Sequence, residues 1–365
     1  MKDVKKKGPG ATRVARLSIA LSLIILVLVA GAVYGVWGRG GSGEDLALCN
    51  GVLKEGALSP LSVNPNGEYE SSYSGPGGGP EGGPADRRGL ISRCSVWQPE
   101  GEVAEFEVFD AWGFGPFRSE PVTPGWYVNA SPFGSGSNGW TENRRAEVWL
   151  PQKCAEAFKA GNGPVQVQLE LRNTRHEQWE QGDTRRRMAE VLMSYAKGLA
   201  EAEGCDADGF GLTEEASGAP SYERVPDEGQ CGLSGFGATR DQADRTEILQ
   251  STVGDPKDSW ICVLARDGDS SRKYALVAFA VTKDEQLISH HRESQVEDPE
   301  EFRTDIVTCG DREYLVQMSH AGTDPRDHDE HERKAFEYAE ASLLSPDLLY
   351  KGFVDGIKPR LGCSS

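Results

Sequence analysis

The chain has 365 residues and carries a formal net charge of −18 at pH 7. This length suits two domains rather than one, and so acidic a chain repels phosphate backbones, which argues against a nucleic-acid partner. No cofactor is predicted either. The GxGxxG match at residues 134–139 lies between a loop and a strand pattern, whereas a dinucleotide site needs a helix after the glycines.

The N-terminus has the pattern of a signal anchor. Residues 1–16 contain six basic residues and one acidic residue, and residues 17–37 then run for 21 residues without a charge. As a helix this run would extend about 31 Å, which matches the hydrocarbon core of a bilayer. The positive-inside rule predicts a cytoplasmic basic tail (1–16), a transmembrane helix (17–37) and an extracellular remainder. Cleavage after Ala32, as in a signal peptide, is the alternative.

Two glycine-rich features accompany the predicted span. Gly31 and Gly35 form a GxxxG pattern, which can let two helices approach closely and so predicts a weak homodimer contact. Residues 38–47 follow as a glycine-rich, flexible stalk. The sequence therefore predicts a single-pass protein of the cell membrane whose partner at this end is the bilayer, through residues 17–37.

Eight cysteines follow the predicted span, and an even number in an oxidising compartment indicates disulfides. The features around them occur twice in the same order: an opening cysteine, a strand with the second cysteine, another strand, a strand that ends at the third cysteine, a fourth strand, and a helix towards the fourth cysteine. Such a repeat sets the number of domains. We predict a first unit (48–216) with a disordered Pro/Gly-rich insertion (64–89), a linker (217–230) and a second unit (231–365).

The predicted fold class is α+β, with each disulfide-stapled unit a small antiparallel sheet packed with helices on one side. In the first unit, Ala104, Phe106 and Val108 alternate with Glu105 and Glu107, which predicts a strand with one wet face. A later stretch places its apolar residues at helical spacing on one face, namely Met188, Val191, Leu192, Tyr195 and Leu199.

Four cysteines in each unit allow three pairings. If the third strand ends at the third cysteine and the fourth strand runs back, a helix antiparallel to the fourth strand returns the fourth cysteine to the third. In the second unit Pro346 and Pro359 both precede Cys363, so the helix must break first for this to happen. The remaining cysteines pair by subtraction, so the predicted bridges are Cys49–Cys94, Cys154–Cys205, Cys231–Cys262 and Cys309–Cys363.

Taken together, the basic N-terminus, the single anchor, the glycine-rich stalk and the duplicated cysteine-bearing unit form a characteristic order. With the segments "VWLPQKC" and "AEAEGC", this order resembles streptomycete-type, membrane-anchored envelope proteins of actinobacteria. The resemblance covers most of residues 15–365. It implies an extracytoplasmic location and a duplicated fold, and it carries no activity.

The stretch "DPRDHDEHER", residues 324–333, is the richest in metal-ligand types. His328 and His331 lie three residues apart and could share one side of a helical turn. Together with His320 or Asp324 they could chelate a metal ion. These four residues are the candidate metal ligands.

The alternative interpretation of this stretch is the acidic start of a helix. Asp327 suits an N-cap, and Glu330 completes the spacing of a capping box. Aligning the fourth strands of the two units with Met318 opposite Leu171 leaves no histidine of the first unit opposite His328 or His331. The fold therefore does not need these histidines.

The aromatic residues are distributed unevenly between the units. Six of the eight tryptophans lie in the first unit, and residues 112–140 hold several of them among glycines. Aromatic side chains on an external loop can stack on sugars or anchor a protein partner, although they could also close over the sheet as a local core. The candidate binding surface consists of Trp112, Trp126, Tyr127 and Trp140.

These observations predict a non-catalytic binding or interaction module of the bacterial cell envelope, with a cell-wall polymer or a protein as its partner. No catalytic residue is predicted, because paired carboxylates are too numerous in this chain to single one out. The alternative is an extracellular metal-dependent protein or enzyme that uses the histidine and aspartate cluster at residues 320–332.

Overall fold

The computed structural model describes residues 47–363, with gaps at 62–67, 75–89, 111–130, 134–138, 143, 159–164, 173–181, 206–219, 227, 241–246, 268–272, 295–301 and 321–329. Residues 47–365 form one compact unit. The predicted tail, span and GxxxG pair, and the stalk up to residue 46, lie outside the described residues. Within the described residues, every helix is too short or too polar to cross a bilayer.

The described strands form two large antiparallel sheets and one two-stranded ribbon, β1 with β2. The strand order is β3-β4-β5-β9-β8-β7-β6 in the seven-stranded sheet and β10-β11-β12-β13-β15-β14 in the six-stranded sheet. The predicted α+β class with antiparallel sheets is confirmed. The strands are β1 (Ala47–Leu48), β2 (Leu53–Lys54), β3 (Glu70–Ser74), β4 (Leu90–Gln98), β5 (Gly101–Asp110), β6 (Ser131–Pro132), β7 (Gly139–Thr141), β8 (Arg145–Trp149), β9 (Val165–Leu171), β10 (Glu223–Arg224), β11 (Ile248–Gly254), β12 (Ser259–Asp267), β13 (Lys273–Thr282), β14 (Phe302–Cys309) and β15 (Arg312–His320).

The described α-helices lie between or after these strands. Their bounds are α1 (Gln152–Ala157), α2 (Gly182–Glu203), α3 (Glu285–Ser294), α4 (Glu330–Ser342) and α5 (Pro346–Leu361).

Helix α2 covers one face of the seven-stranded sheet. Its predicted apolar residues are all buried and belong to the same core cluster as Ala104, Phe106 and Val108 of β5. The rings of Phe106 and Tyr195 stack with their centroids 4.4 Å apart. Burying each such side chain contributes about 1.5–3 kcal/mol, so this contact is a main source of stability for the first unit.

Helices α4 and α5 cover one face of the six-stranded sheet. The ring centroid of Phe353 on α5 lies 4.8 Å from that of Phe279 on β13 and 6.2 Å from that of Trp260 on β12. The chain leaves the helical path between Ser342 and Pro346, where Pro346 opens α5 at its first position. This is the break that the sequence predicted at Pro346, whereas Pro359 lies inside α5 and does not interrupt it.

The four bridges join the pairs predicted from the sequence, with Cα–Cα separations of 5.5, 5.2, 5.7 and 4.4 Å in chain order. One detail differs: β8 ends at Trp149, and Cys154 lies in α1 instead of ending the strand. Cys49 and Cys231, which open the two units, have positive φ angles of 54° and 59°. A left-handed cysteine is uncommon, so the two units open with the same unusual backbone conformation.

The sheet register corrects the predicted alignment of the two units. Cys94 lies opposite Phe106, which lies opposite Leu169, and Cys262 lies opposite Phe279, which lies opposite Met318. Met318 therefore corresponds to Leu169, and the alignment with Leu171 was wrong by two residues. A shift of two keeps every side chain on the same face of a strand, so the apolar pattern could not reveal the error.

Two segments predicted to be unstructured contribute strands. Residues 64–89 were expected to be disordered, but Glu70–Ser74 form β3 and pair with β4. Residues 217–230 were expected to be a linker, but Glu223–Arg224 form β10 and pair with β11. Both strands are polar edge strands with little buried surface, so their stability comes from ladder hydrogen bonds that composition does not show.

The two sheets pack against each other through the faces opposite α2 and opposite α4 and α5. Trp140 and Trp149 of the first unit share a buried cluster with Ile261 and Val263 of the second. Leu287 of α3 belongs to the same cluster, so α3 lies on the inner face of the six-stranded sheet. The prediction of helices on one side only was therefore wrong for the second unit, because an amphipathic pattern does not say which face a helix covers.

Candidate functional site

The candidate metal ligands are only partly within the described residues. His320 is the last residue of β15, lies opposite Val277 and is buried. His331 lies in the first turn of α4, which begins at Glu330, whereas Asp324, Asp327 and His328 lie outside the described residues. Within the described residues, no three histidine, cysteine or acidic side chains are grouped as a metal site would require. The metal site stays a prediction.

The candidate aromatic surface divides in a similar way. Trp140 lies in β7, is 4% exposed and packs in the cluster between the sheets. It therefore belongs to the core, and its ring is not available to a ligand. Trp112, Trp126 and Tyr127 lie outside the described residues, so the hypothesis of a binding surface now rests on these three.

The inner face of the seven-stranded sheet is unexpectedly charged. The Nε atom of Arg93 lies 2.8 Å from Oε1 of Glu105 and donates a hydrogen bond of 2.8 Å to Glu107. Arg172 binds Glu105 from the other side and donates a hydrogen bond of 2.8 Å to Glu170. Glu105 and Glu107 were predicted to face water, but they are 6% and 2% exposed. Their pairing with two arginines is what makes this burial tolerable.

The same face continues across β9 and β8 with polar residues. Gln166 donates a hydrogen bond of 2.9 Å from Nε2 to Oε2 of Glu147, and both side chains are buried. Glu147 also lies opposite Trp140 in the register of β7 and β8. The face thus changes from ion pairs at β4 and β5 to aromatic packing at β7. Glu105, Glu107 and Glu147 are enclosed instead of presented to a ligand.

A buried arginine lies where the two units meet. Arg185, in the first turns of α2, is 2% exposed, and its Nη1 atom donates to Oγ of Ser131 in β6 at 3.4 Å. Burial lowers the pKa of Arg185, while the charge of Glu142 opposes this effect. Burial also raises the pKa of Tyr222, which precedes β10 and interacts with Arg185. This cluster connects α2, β6 and the segment between the units.

Asp284 is another buried ionisable group. Its Oδ1 atom accepts backbone N–H bonds from Gln286 at 2.8 Å and Leu287 at 3.0 Å, which caps α3. Its Oδ2 atom is buried and has no hydrogen-bond partner in the described part of the chain. Burial raises the pKa of this carboxyl group, although the two backbone bonds act in the opposite direction. This cap was not predicted from the sequence, although "TKDEQ" before a helical pattern is a signal for it.

The two units differ most in one connection. Between the equivalent strands β5 and β8, the first unit carries residues 111–144, which include β6, β7 and the aromatic segment. Between β13 and β14, the second unit carries residues 283–301, which include α3. The shared strands therefore support two different insertions at the same place in the fold.

No family model, curated protein or solved structure matches the chain.

Proposed function

We propose that the chain is a membrane-anchored, extracytoplasmic, non-catalytic binding module of the bacterial cell envelope. The basic tail and the apolar run at residues 17–37 support a cytoplasmic N-terminus with the remainder outside the cell membrane. The four disulfides support an oxidising environment, because such bridges persist outside the cytosol.

The observation that carries the binding role is the connection in which the two units differ. Both units place the same strands and bridges around their cores, and binding residues are often found on connections held by a rigid scaffold. The first unit inserts Trp112, Trp126 and Tyr127 at this connection. Aromatic rings of this kind stack on sugar faces, so we propose a cell-wall polymer as the partner.

The test is the double variant Trp126→Ala/Tyr127→Ala in the full chain. The affinity for purified cell walls, measured by cosedimentation, should fall at least about tenfold, because aromatic anchors carry a large share of binding energy. The thermal unfolding midpoint should stay close to that of the wild type. Trp97→Ala serves as the control, because Trp97 is a half-buried aromatic residue of β4 in the same unit, and it should leave sedimentation unchanged.

Two results would count against this proposal. Unchanged sedimentation of the double variant would remove the aromatic segment from the interaction. Stoichiometric zinc in the purified chain, lost in His328→Ala/His331→Ala, would favour the metal-dependent alternative.

A further inference from the structure

The outer edge of β14 is open in the described part of the second unit. Its inner edge pairs with β15, and no other described strand lies beside it. Asp305 and Thr308 are exposed, and Arg303 is half-buried. Unpaired backbone groups along such an edge are a template for another strand.

The first unit shows what covers the equivalent edge. There β8 takes the place of β14, and β7 pairs with it in antiparallel orientation. Since Met318 corresponds to Leu169, Gln317 corresponds to Gln168. Their partners across the ladder, Thr304 and Glu147, are therefore equivalent as well.

This equivalence locates the missing contact closely. In the first unit, β7 pairs with three consecutive residues, Ala146, Glu147 and Val148. The corresponding residues of β14 run from Arg303 to Asp305. The second unit lacks a described counterpart of β7 at the residues where the first unit uses one.

We propose that β14 of a second copy of this chain covers this edge in antiparallel orientation, with a two-fold axis through Thr304. In this register Arg303 of each copy lies opposite Asp305 of the other, so two pairs of unlike charges form. Thr304 lies opposite its own counterpart, and Phe302 lies opposite Ile306. Opposite-charge pairs across neighbouring strands are stabilising.

The charges select this register over its neighbours. In an antiparallel pair, residues that lie opposite each other have their side chains on the same face of the sheet. When both strands are β14, the numbers of two opposite residues therefore differ by an even amount. The two-fold axis then passes through a residue and not between two residues. An axis through Arg303 would place two arginines opposite each other, and an axis through Asp305 would place two aspartates there. Like charges in these positions are destabilising, so only the axis through Thr304 pairs unlike charges at the centre.

The proposed contact between the two β14 strands is small, so we expect it to be weak. The pairing from Phe302 to Ile306 covers one short strand, and interfaces of small area are typically transient. Two chains attached to the same membrane have a raised effective concentration, which favours a weak contact. The inference is independent of the proposed wall ligand.

The test uses charge reversals in the full chain, with the mass measured by sedimentation velocity in mild detergent. The wild type should form dimers at concentrations up to about 100 µM, where a micromolar interaction is nearly saturated. In the Arg303→Asp variant, the new aspartate of each copy lies opposite Asp305 of the other copy. In the Asp305→Arg variant, the new arginine of each copy lies opposite Arg303 of the other copy. Each variant alone should dimerise at least about tenfold more weakly.

Two rescues make the test specific for the register. An equimolar mixture of Arg303→Asp and Asp305→Arg chains restores both unlike pairs and should form mixed dimers. The double variant Arg303→Asp/Asp305→Arg should dimerise with itself like the wild type. These rescues also control for folding. Each substitution removes a contact within its own chain, because Arg303 lies 3.3 Å from Asp347 and Asp305 accepts a hydrogen bond from Tyr350. The rescues do not restore these contacts, so recovered dimerisation shows that their loss is not the cause of the weakening.

Asp311→Arg provides a matched control, because it makes the same charge change in the exposed turn after β14 and should leave dimerisation unchanged. A monomeric wild type throughout this concentration range would overturn the proposal. So would dimers that persist in both single variants and disappear in Gly31→Leu/Gly35→Leu. A failure of wall binding would not affect either result.

Discussion

At the scale of single residues, Asp284 combines two influences that act on its ionisation in opposite directions. The backbone N–H groups of Gln286 and Leu287 favour the carboxylate, and burial disfavours it. Burial is the larger influence, so the pKa is raised above the ordinary value of 3.8. The cap of α3 is therefore held by a carboxyl group whose charged form is disfavoured by burial.

This balance predicts a pH-dependent stability. Because the folded chain binds the proton of Asp284 more tightly than the unfolded chain does, the protonated group contributes stability at low pH that is lost as the pH rises through the folded pKa. Asp284→Asn keeps a capping oxygen without the charge. We expect this variant to be more stable than the wild type at neutral pH, and this gain to disappear near pH 3.8.

Urea unfolding at several pH values measures this difference. Asp347→Asn is the control, since Asp347 also lies in the first turn of a helix but its side chain is 84% exposed. An Asp284→Asn chain that is less stable than the wild type at neutral pH would contradict the assignment.

At the scale of elements, the sequence was informative wherever apolar residues were regular. The face of α2 and the strand β5 could be predicted because their apolar side chains recur at the helical and strand periods. The polar strands β3 and β10 could not, because little of their surface is buried. The ion pairs of the buried Glu105 with Arg93 and Arg172 were also missed. Alternation in β5 identifies a second face but does not say whether protein or water covers it.

The packing of α2 gives a prediction at this scale. A Cβ atom at Gly198 would lie 2.1 Å from the backbone oxygen of Val52, so only glycine allows this approach. Although alanine favours a helix by about 1 kcal/mol, overpacking against backbone costs about 1–3 kcal/mol. A 2.1 Å approach to backbone atoms, which cannot easily shift, belongs at the upper end of this range. After subtracting the helix propensity, we expect Gly198→Ala to lower the free energy of unfolding by about 2 kcal/mol, measured by urea denaturation.

Gly352 of α5 is the matched position. A Cβ atom there would lie 3.3 Å from the ring of Phe236, so the ring needs to shift by only a few tenths of an ångström. Gly352→Ala should therefore stay within about 1 kcal/mol of the wild type. Equal effects of the two substitutions would show that the approach of Val52 does not constrain α2.

At the scale of the whole molecule, the contact between the two sheets could not be predicted from the sequence. Trp149 alternates with Ala146 and Val148, which places it on the opposite face of β8, and a large apolar residue on a mostly polar face was a visible signal. Its partners, Ile261 and Val263, belong to the other unit. The cysteine repeat described each unit by itself, so it carried no information about how one unit packs on the other.

This contact predicts how the protein unfolds. Trp149→Ala leaves a cavity between the sheets and should cost about 3–5 kcal/mol. Because the lost contacts are those that couple the two units, we expect one calorimetric transition in the wild type to separate into two in the variant. Trp97→Ala, on a strand of the same sheet, should keep a single transition. A single transition in Trp149→Ala would mean that other contacts couple the units.

The short strand β7 has a consequence for the assemblies that this fold can build. It pairs along β8, so the first unit offers no counterpart of the edge at β14. If both units left this edge free, each chain could join two neighbours, and growth would continue into a fibre. In the dimer proposed above, one such edge is covered within the chain, so strand addition at β14 would end at two copies. The difference between the two units would then limit this mode of assembly to a closed pair.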